Sequence, residues 1–184
     1  QRNAMIAIVK YKAGNVRSVL NALHRLGADA TVTDDPTLLR SADKVIFPGV
    51  GEAGTAMAHL REKGLDEVLR NLQQPFLGIC LGMQLMCNAS EEGDTVGLGI
   101  FNVDVVKFSS KVKVPQIGWN QISNLKTNLF EEISEKEYIY LVHSYYAEHC
   151  NETIAKTDYG INYASALQHE NFYGVQFHPE KSGK

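Results

Sequence analysis

Cysteine is scarce in this chain. Cys80, Cys87 and Cys150 are an odd number at spacings that match no CxxC pattern. That excludes a disulfide framework, a zinc cluster of paired cysteines and a thioredoxin-like dithiol. Three free thiols are expected, and neither a metal nor a cofactor is needed. Long hydrophobic runs are also missing. With no stretch of about 18 apolar residues and no signal-peptide pattern, neither a membrane span nor export is expected, and the expected compartment is cytoplasmic. A dense Lys/Arg block is absent as well. Eighteen basic residues against 21 acidic ones leave a net charge of −3, which argues against a nucleic-acid footprint or a basic membrane-binding face. No internal repeat, low-complexity tract or Pro/Gly-rich linker marks a domain boundary.

What is present fits one α/β domain. A chain of 184 residues, 44% hydrophobic and 21% charged, is long enough for a single sizeable core. Gln1–Ala4 carry no structural signal and read as an expression remnant, so the domain is expected over residues 5–184. "MIAIVKY" is an apolar, β-branched run, and "NVRSVLNALHRLG" places Val16, Val19, Leu20, Leu23 and Leu26 at helical spacing with Gly27 as C-cap. "ADATVTD" and "KVIF" read as further strands. Asp35 and Pro36 open a short helix between them. Helix is expected over residues 52–72, broken at Gly64. "PFLGIC" is then a buried strand feeding a helix "GMQLMCNAS". Strands separated by helices predict a mainly parallel, flavodoxin-like sheet flanked by helices. After Gly93 the runs "NVDVVKF", "KVKVPQIGWNQIS", "YIYLVHSYYAE", "TIAKTDYG", "YASALQHE" and "FYGVQFHPE" are β-like, so the C-terminal half is expected to be β-rich.

Three separated segments suggest chemistry. Gly78-Ile79-Cys80-Leu81-Gly82 has the strand, sharp turn and helix arrangement of a nucleophile elbow, with cysteine where hydrolases place serine. Side chains at Gly78 or Gly82 would collide with the strand or helix. The helix N-terminus just after Cys80 favours thiolate over thiol. "VQFHPE" sets His178 and Glu180 two residues apart at a strand end, where both side chains share one face of extended chain. A cysteine nucleophile needs such a base, and a carboxylate behind the imidazole fixes its tautomer. Finally, Pro48, Gly49 and Gly51 follow the third strand. Backbone N–H groups there could approach a ligand and form an oxyanion hole with that of Leu81. Gly49, Gly51 and Gly54 match GxGxxG only formally, since no acidic ribose partner follows. Each segment also has a bland reading: a packed cysteine, a strand-end His and Glu, and an ordinary βα turn.

Taken together, "GICLGMQ" and the distant "HPE" resemble the class I (triad) glutamine amidotransferases. "PGVG", "GNVRSV", "PQIGWN" and "YLVHSYYA" are similar to the branch whose glutaminase subunit serves histidine biosynthesis, over nearly the whole chain from Met5. The resemblance implies Cys80 as nucleophile, His178 as base and then acid, and Glu180 as the group orienting His178. It implies oxyanion N–H groups from Val50 and Leu81. Gly51, Gln84, His143, Ser144 and Tyr145 would hold the amino-acid end of L-glutamine. The implied partner is a (β/α)8-barrel cyclase subunit that receives the ammonia in a heterodimer, with Asn15 and Trp119 as candidate interface residues. A core position is the alternative for Trp119. The sequence departs from the pattern at Lys12 and Ala13, and at Gln116 and Ile117, all near the implied partner surface. The resemblance also implies one more helix beyond "HPEKSGK", without which a strip of core would lack its cover. Two other readings stay open: the glutaminase of another synthase, such as those for pyridoxal phosphate, anthranilate or guanylate, and a catalytically silent binding module of the same fold.

Overall fold

A computed structural model of the chain describes residues 4–12 and 15–182. Gln1–Asn3 of the expected remnant, and Ala13 of the expected partner surface, lie outside the described residues. The first half alternates strands and helices: β1 (Ile6–Val9), α1 (Val16–Arg25), β2 (Ala30–Thr33), α2 (Pro36–Ser41), β3 (Lys44–Phe47), α3 (Ala53–Glu62), α4 (Leu65–Arg70), β4 (Phe76–Ile79) and α5 (Leu81–Leu85). The second half is strand-rich: β5 (Cys87–Ser90), β6 (Thr95–Val96), β7 (Phe101–Lys107), β8 (Gln116–Gln121), β9 (Tyr138–His143), β10 (Tyr145–Ala147), β11 (Thr153–Asp158), β12 (Asn162–His169) and β13 (Phe172–Val175).

Among the described residues, eleven strands form one sheet in the order β2-β1-β3-β4-β13-β12-β10-β7-β5-β6, with β11 added beside β12. The pairs β2-β1, β1-β3, β3-β4 and β4-β13 are parallel, whereas β13-β12, β12-β10 and β10-β7 are antiparallel. The apolar runs of the first strands follow from burial on both faces. In β1, Ala7 and Val9 enter the core that holds Met57, Leu60 and Leu69 of α3 and α4, while Ile8 enters the opposite core with Val19 of α1. Ile139 and Leu141 of the separate β8-β9 ribbon also pack in that second core. On this face an apolar groove lined by Ile46, Leu77, Ile79, Leu129, Ile133 and Phe177 is open.

Local signals explain several boundaries. Asp35 caps α2 by accepting the Thr37 N–H at 2.9 Å, with Pro36 in the first turn. Gly64 takes φ +68° between α3 and α4. The expected helix "GMQLMCNAS" is corrected: α5 stops at Leu85, and Cys87–Ser90 is strand β5. Pairing outweighs helix propensity there. The Leu98 N–H bonds to Leu85 O at 2.8 Å, the Phe101 N–H to Met86 O at 3.0 Å, and β5 runs beside β7.

Candidate active site

The turn from β4 into α5 holds Cys80 at φ 54°, ψ −114°, a conformation that costs of order 1–3 kcal/mol for a residue with a side chain. The Cys80 N–H is fixed on Val175 O of β13 at 2.8 Å. Both flanking glycines are sterically required. A Cβ on Gly82 would lie 2.0 Å from Phe47 O, and one on Gly78 would lie 2.4 Å from Met86 Sδ and 3.0 Å from the Met83 nitrogen. The strain therefore presents one small side chain ahead of a helix start. Cys80 Sγ lies 3.8 Å from Val142 O and 3.6 Å from Gln176 Nε2.

His178 is brought to this sulfur by the segment after β13. Its N–H donates to Tyr140 O at 3.0 Å, and its carbonyl accepts the Ser182 hydroxyl at 2.5 Å. The expected extended-chain geometry is corrected. The strand ends at Val175, and Glu180 returns to His178 through a 3-10 turn at Pro179–Lys181. That turn sets His178 Nδ1 2.7 Å from Glu180 Oε1, so Nδ1–H donates in either protonation state and Nε2 is the nitrogen that gains or loses the proton. Among the described residues, His178 Nε2 and Glu180 Oε2 are buried without hydrogen-bond partners within the usual geometric limits. Burial alone lowers the imidazole pKa, but interaction with Cys80 and Glu180 more than offsets it and pushes His178 up to about 9.

A cleft of about 330 Å³ opens over Cys80. Val50, Gly51, Leu81, Gln84, His143, Ser144 and Tyr145, all singled out from the sequence, line it with Cys80. They differ in what they offer. The Leu81 N–H donates to Gly49 O at 3.2 Å. In a planar trans peptide the C=O and N–H point in opposite directions, so the Val50 N–H points away from Leu81. His143 is buried, with Nδ1 2.7 Å from Tyr145 O and Nε2 3.0 Å from Gln116 Oε1 and 3.1 Å from the Tyr163 hydroxyl. Burial pushes its pKa down to about 4 despite the bond to Tyr145 O, so it is a neutral wall residue whose ring nitrogens are both engaged. Gln84 Nε2 is committed to Tyr145 O at 2.9 Å and Gln176 Oε1 at 2.8 Å. Trp119 and Asn15 lie elsewhere. Trp119 is 56% exposed, which rules out the core position, and stacks edge-on against Tyr140 at 5.7 Å. Asn15 is exposed just before α1.

Sequence reasoning missed several contributors. Glu92 also lines the cleft. Its Oε1 accepts the Ala53 N–H at 2.8 Å, while burial holds its carboxyl above the usual range, with the neighbouring charge of Glu52 adding to the rise. Nothing in "SEEGD" separates it from an acidic surface turn. The Tyr11 hydroxyl, buried beneath the loop, donates to Pro48 O at 2.6 Å. Gln176 had a visible signal, a polar residue within the apolar "YGVQF". Among the described residues no group of three or more His, Cys, Asp or Glu side chains could hold a metal ion. No described helix is long and apolar enough to cross a membrane.

The family model "Glutamine amidotransferase class-I" matches residues 7–184, and the chain belongs to that family. Within it, the chain is similar to the imidazole glycerol phosphate synthase subunit HisH of Bacteroides thetaiotaomicron, with 57% identity over 182 residues, 97% of this chain and 93% of that protein. HisH of Methanothermobacter thermautotrophicus is 46% identical over 185 residues, covering 98% and 92%. Among solved structures, a glutamine amidotransferase superposes with TM-score 0.74 at 19% identity, covering 95% of this chain and 90% of that one. PurLQS from Thermotoga maritima superposes with TM-score 0.72 at 19% identity, covering 97% and 89%. Both share the α/β fold described above.

Proposed function

We propose that Cys80, His178 and Glu180 hydrolyse the side-chain amide of glutamine, and that the chain serves as the glutaminase subunit of imidazole glycerol phosphate synthase in histidine biosynthesis. The observation carrying this reading is the joint geometry of a strained cysteine elbow, a buried histidine–glutamate pair 2.7 Å apart and a cleft above the sulfur. The Cys80 thiolate attacks the amide carbon. The oxyanion requires N–H donors from Leu81 and Val50. The His178 imidazolium protonates departing ammonia, and its neutral form then removes a proton from the water that cleaves the thioester and releases glutamate. Glu180 keeps Nδ1 protonated and supports the imidazolium. Within the cleft, Glu92 and the Oε1 atom of Gln84 are suited to the substrate's ammonium group, since Gln84 Nε2 is already engaged.

The receiving partner is a (β/α)8-barrel cyclase subunit in a heterodimer. Ammonia released at neutral pH becomes ammonium in bulk water, so direct transfer favours a docked acceptor. Exposed Trp119 and Ile117 on β8, 56% and 63% accessible, supply apolar area for docking. The names of the 57% and 46% identical relatives favour this synthase over those for pyridoxal phosphate, anthranilate or guanylate. The intact triad weighs against a silent module. Ammonia release from glutamine, measured with and without the cyclase, tests the reading. No release under either condition, with Cys80 also inert to a glutamine-like electrophile, would leave only a binding module.

A further inference from the structure

Gln176 is wholly buried, at 0% exposure, yet it belongs neither to the cleft wall nor to the acid–base pair. Its backbone is fixed beside the elbow. The Gln176 N–H extends the β13 ladder to Ser165 O at 2.9 Å, while the preceding carbonyl, Val175 O, accepts the Cys80 N–H at 2.8 Å. Its side chain bridges two residues of the site. Oε1 lies 2.8 Å from Gln84 Nε2, and Nε2 lies 3.6 Å from Cys80 Sγ.

The two ends of an amide are nearly isosteric, so the partners must decide which atom faces the sulfur. Gln84 decides it. One N–H of Gln84 Nε2 points to Tyr145 O at 2.9 Å, and a backbone carbonyl can only accept. The other N–H then needs an acceptor, and Gln176 supplies Oε1 at 2.8 Å. That leaves the Gln176 NH2 for Cys80. Donation runs in one direction, from Gln84 to both Tyr145 O and Gln176, and from Gln176 to the sulfur.

We propose that Gln176 is a catalytic residue of this site, an amide donor that stabilises the Cys80 thiolate and holds Sγ toward the cleft. The proposal rests on Cys80 being the nucleophile. Two neighbours bias the sulfur in opposite senses: Val142 O at 3.8 Å accepts from the thiol and favours S–H, whereas Gln176 donates and favours S⁻. In a buried site a donor to an ionised acceptor is among the stronger hydrogen bonds. An ammonium group on Gln84 Oε1 would polarise the whole chain, linking substrate binding to the sulfur.

The experiment uses a Cys150→Ser background, since Cys87 is buried, and follows iodoacetamide alkylation of Cys80 against pH without substrate. The other ionisable groups interacting with Cys80 or with His178 are Glu180, His143, and the buried phenols of Tyr11 and Tyr163. Gln176→Met leaves all of them in place and removes the donor at similar side-chain length. The thiolate midpoint is expected to rise by about one unit or more, and kcat/KM for glutamine at neutral pH to fall about tenfold or more, chiefly in kcat. An unchanged midpoint in folded Gln176→Met protein would overturn the proposal. Should that variant fail to fold, the side-chain amide signal of Gln176 in wild-type protein decides by NMR. It should move with the Cys80 titration and not in Cys80→Ala, and indifference to the titration would overturn the assignment. A midpoint that shifts as expected in Gln176→Met, in a protein that releases no ammonia even with the cyclase, would support the donor and refute the glutaminase reading.

Discussion

Glu180 Oε1 sits 2.7 Å from His178 Nδ1, while Glu180 Oε2 is buried with no hydrogen-bond partner among the described residues. The pair is thus joined at one oxygen only. In Glu180→Gln the amide carbonyl can still accept from Nδ1–H, but its NH2 must then occupy the unpartnered position, at a cost of about 1–3 kcal/mol. His178→Ala removes the proton carrier itself, worth about 10²–10⁴-fold. Glu180→Gln is therefore expected to retain more activity than His178→Ala. Steady-state kcat/KM for glutamine checks the order, and a reversed order would contradict the assigned roles.

Cys80→Ser should abolish ammonia release and leave the fold intact, because the exchange is nearly isosteric while a serine hydroxyl is far less ionised than a thiol at a helix start. Cys150→Ser should keep full activity. Its partners are Thr153 and the local turn, well away from the cleft. Loss of turnover in Cys150→Ser with an unchanged melting temperature would mean the wrong thiol was assigned.

The elbow and the parallel strands were legible in the sequence because close approach and two-sided burial leave compositional marks: glycines at 78 and 82, and unbroken apolar runs. The His178–Glu180 pairing was legible too, though not its geometry, since a 3-10 turn and an extended chain can both bring residues two apart together. What stayed hidden depends on contacts distant in sequence. Strand β5 becomes a strand only because residues 95–105 pair with it. Glu92 enters the cleft only because the Ala53 N–H holds its carboxylate. The orientation of Gln176 follows from a carbonyl 31 positions earlier, on Tyr145. Local pattern carries no information about such partners.

Two histidines should give stability opposite slopes with pH. His178, at about 9 in the fold against 6.5 unfolded, contributes fully below pH 6.5 and loses that contribution as pH rises through 9. His143, held near 4, stays neutral in the fold but takes up a proton when unfolded, so stability falls as pH drops from 6.5 toward 4. Each difference, 9 − 6.5 and 6.5 − 4, corresponds to about 3 kcal/mol at most. Urea unfolding at stepped pH checks this. His178→Gln should lose the alkaline slope and His143→Gln the acid one, and a slope surviving its own substitution would refute the assignment.

Glu92→Gln should raise KM for glutamine about tenfold or more with a smaller change in kcat, because a hydrogen bond to a charged group is worth about 1.5–3 kcal/mol and the ammonium is at the opposite end of glutamine from the reacting amide. The Ala53 N–H keeps an acceptor in the variant, so stability should change little. An equal fall in kcat with unchanged KM would place Glu92 in the chemical step instead.

The Leu81 N–H is bonded to Gly49 O at 3.2 Å, which turns the Val50 N–H away, so neither oxyanion donor is free in this conformation. One rotation of the Gly49–Val50 peptide would release both. The rotation changes ψ of Gly49 and φ of Val50, and Gly49, which has no Cβ, accommodates its share, while Tyr11 anchors Pro48 O at 2.6 Å and confines the movement to the residues beyond it. The isolated subunit should accordingly bind glutamine but hydrolyse it slowly, and a docked cyclase carrying its nucleotide ligand should raise turnover by about 10²-fold, the scale of one oxyanion donor. Trp119→Ala should leave the subunit folded, since the ring is 56% exposed, yet weaken cyclase binding by about 2 kcal/mol. Calorimetric titration gives the second quantity and ammonia release the first. Full turnover by the isolated subunit, unaltered by the cyclase and its ligand, would rule out the gated peptide, and unfolding of Trp119→Ala would remove Trp119 as a docking anchor.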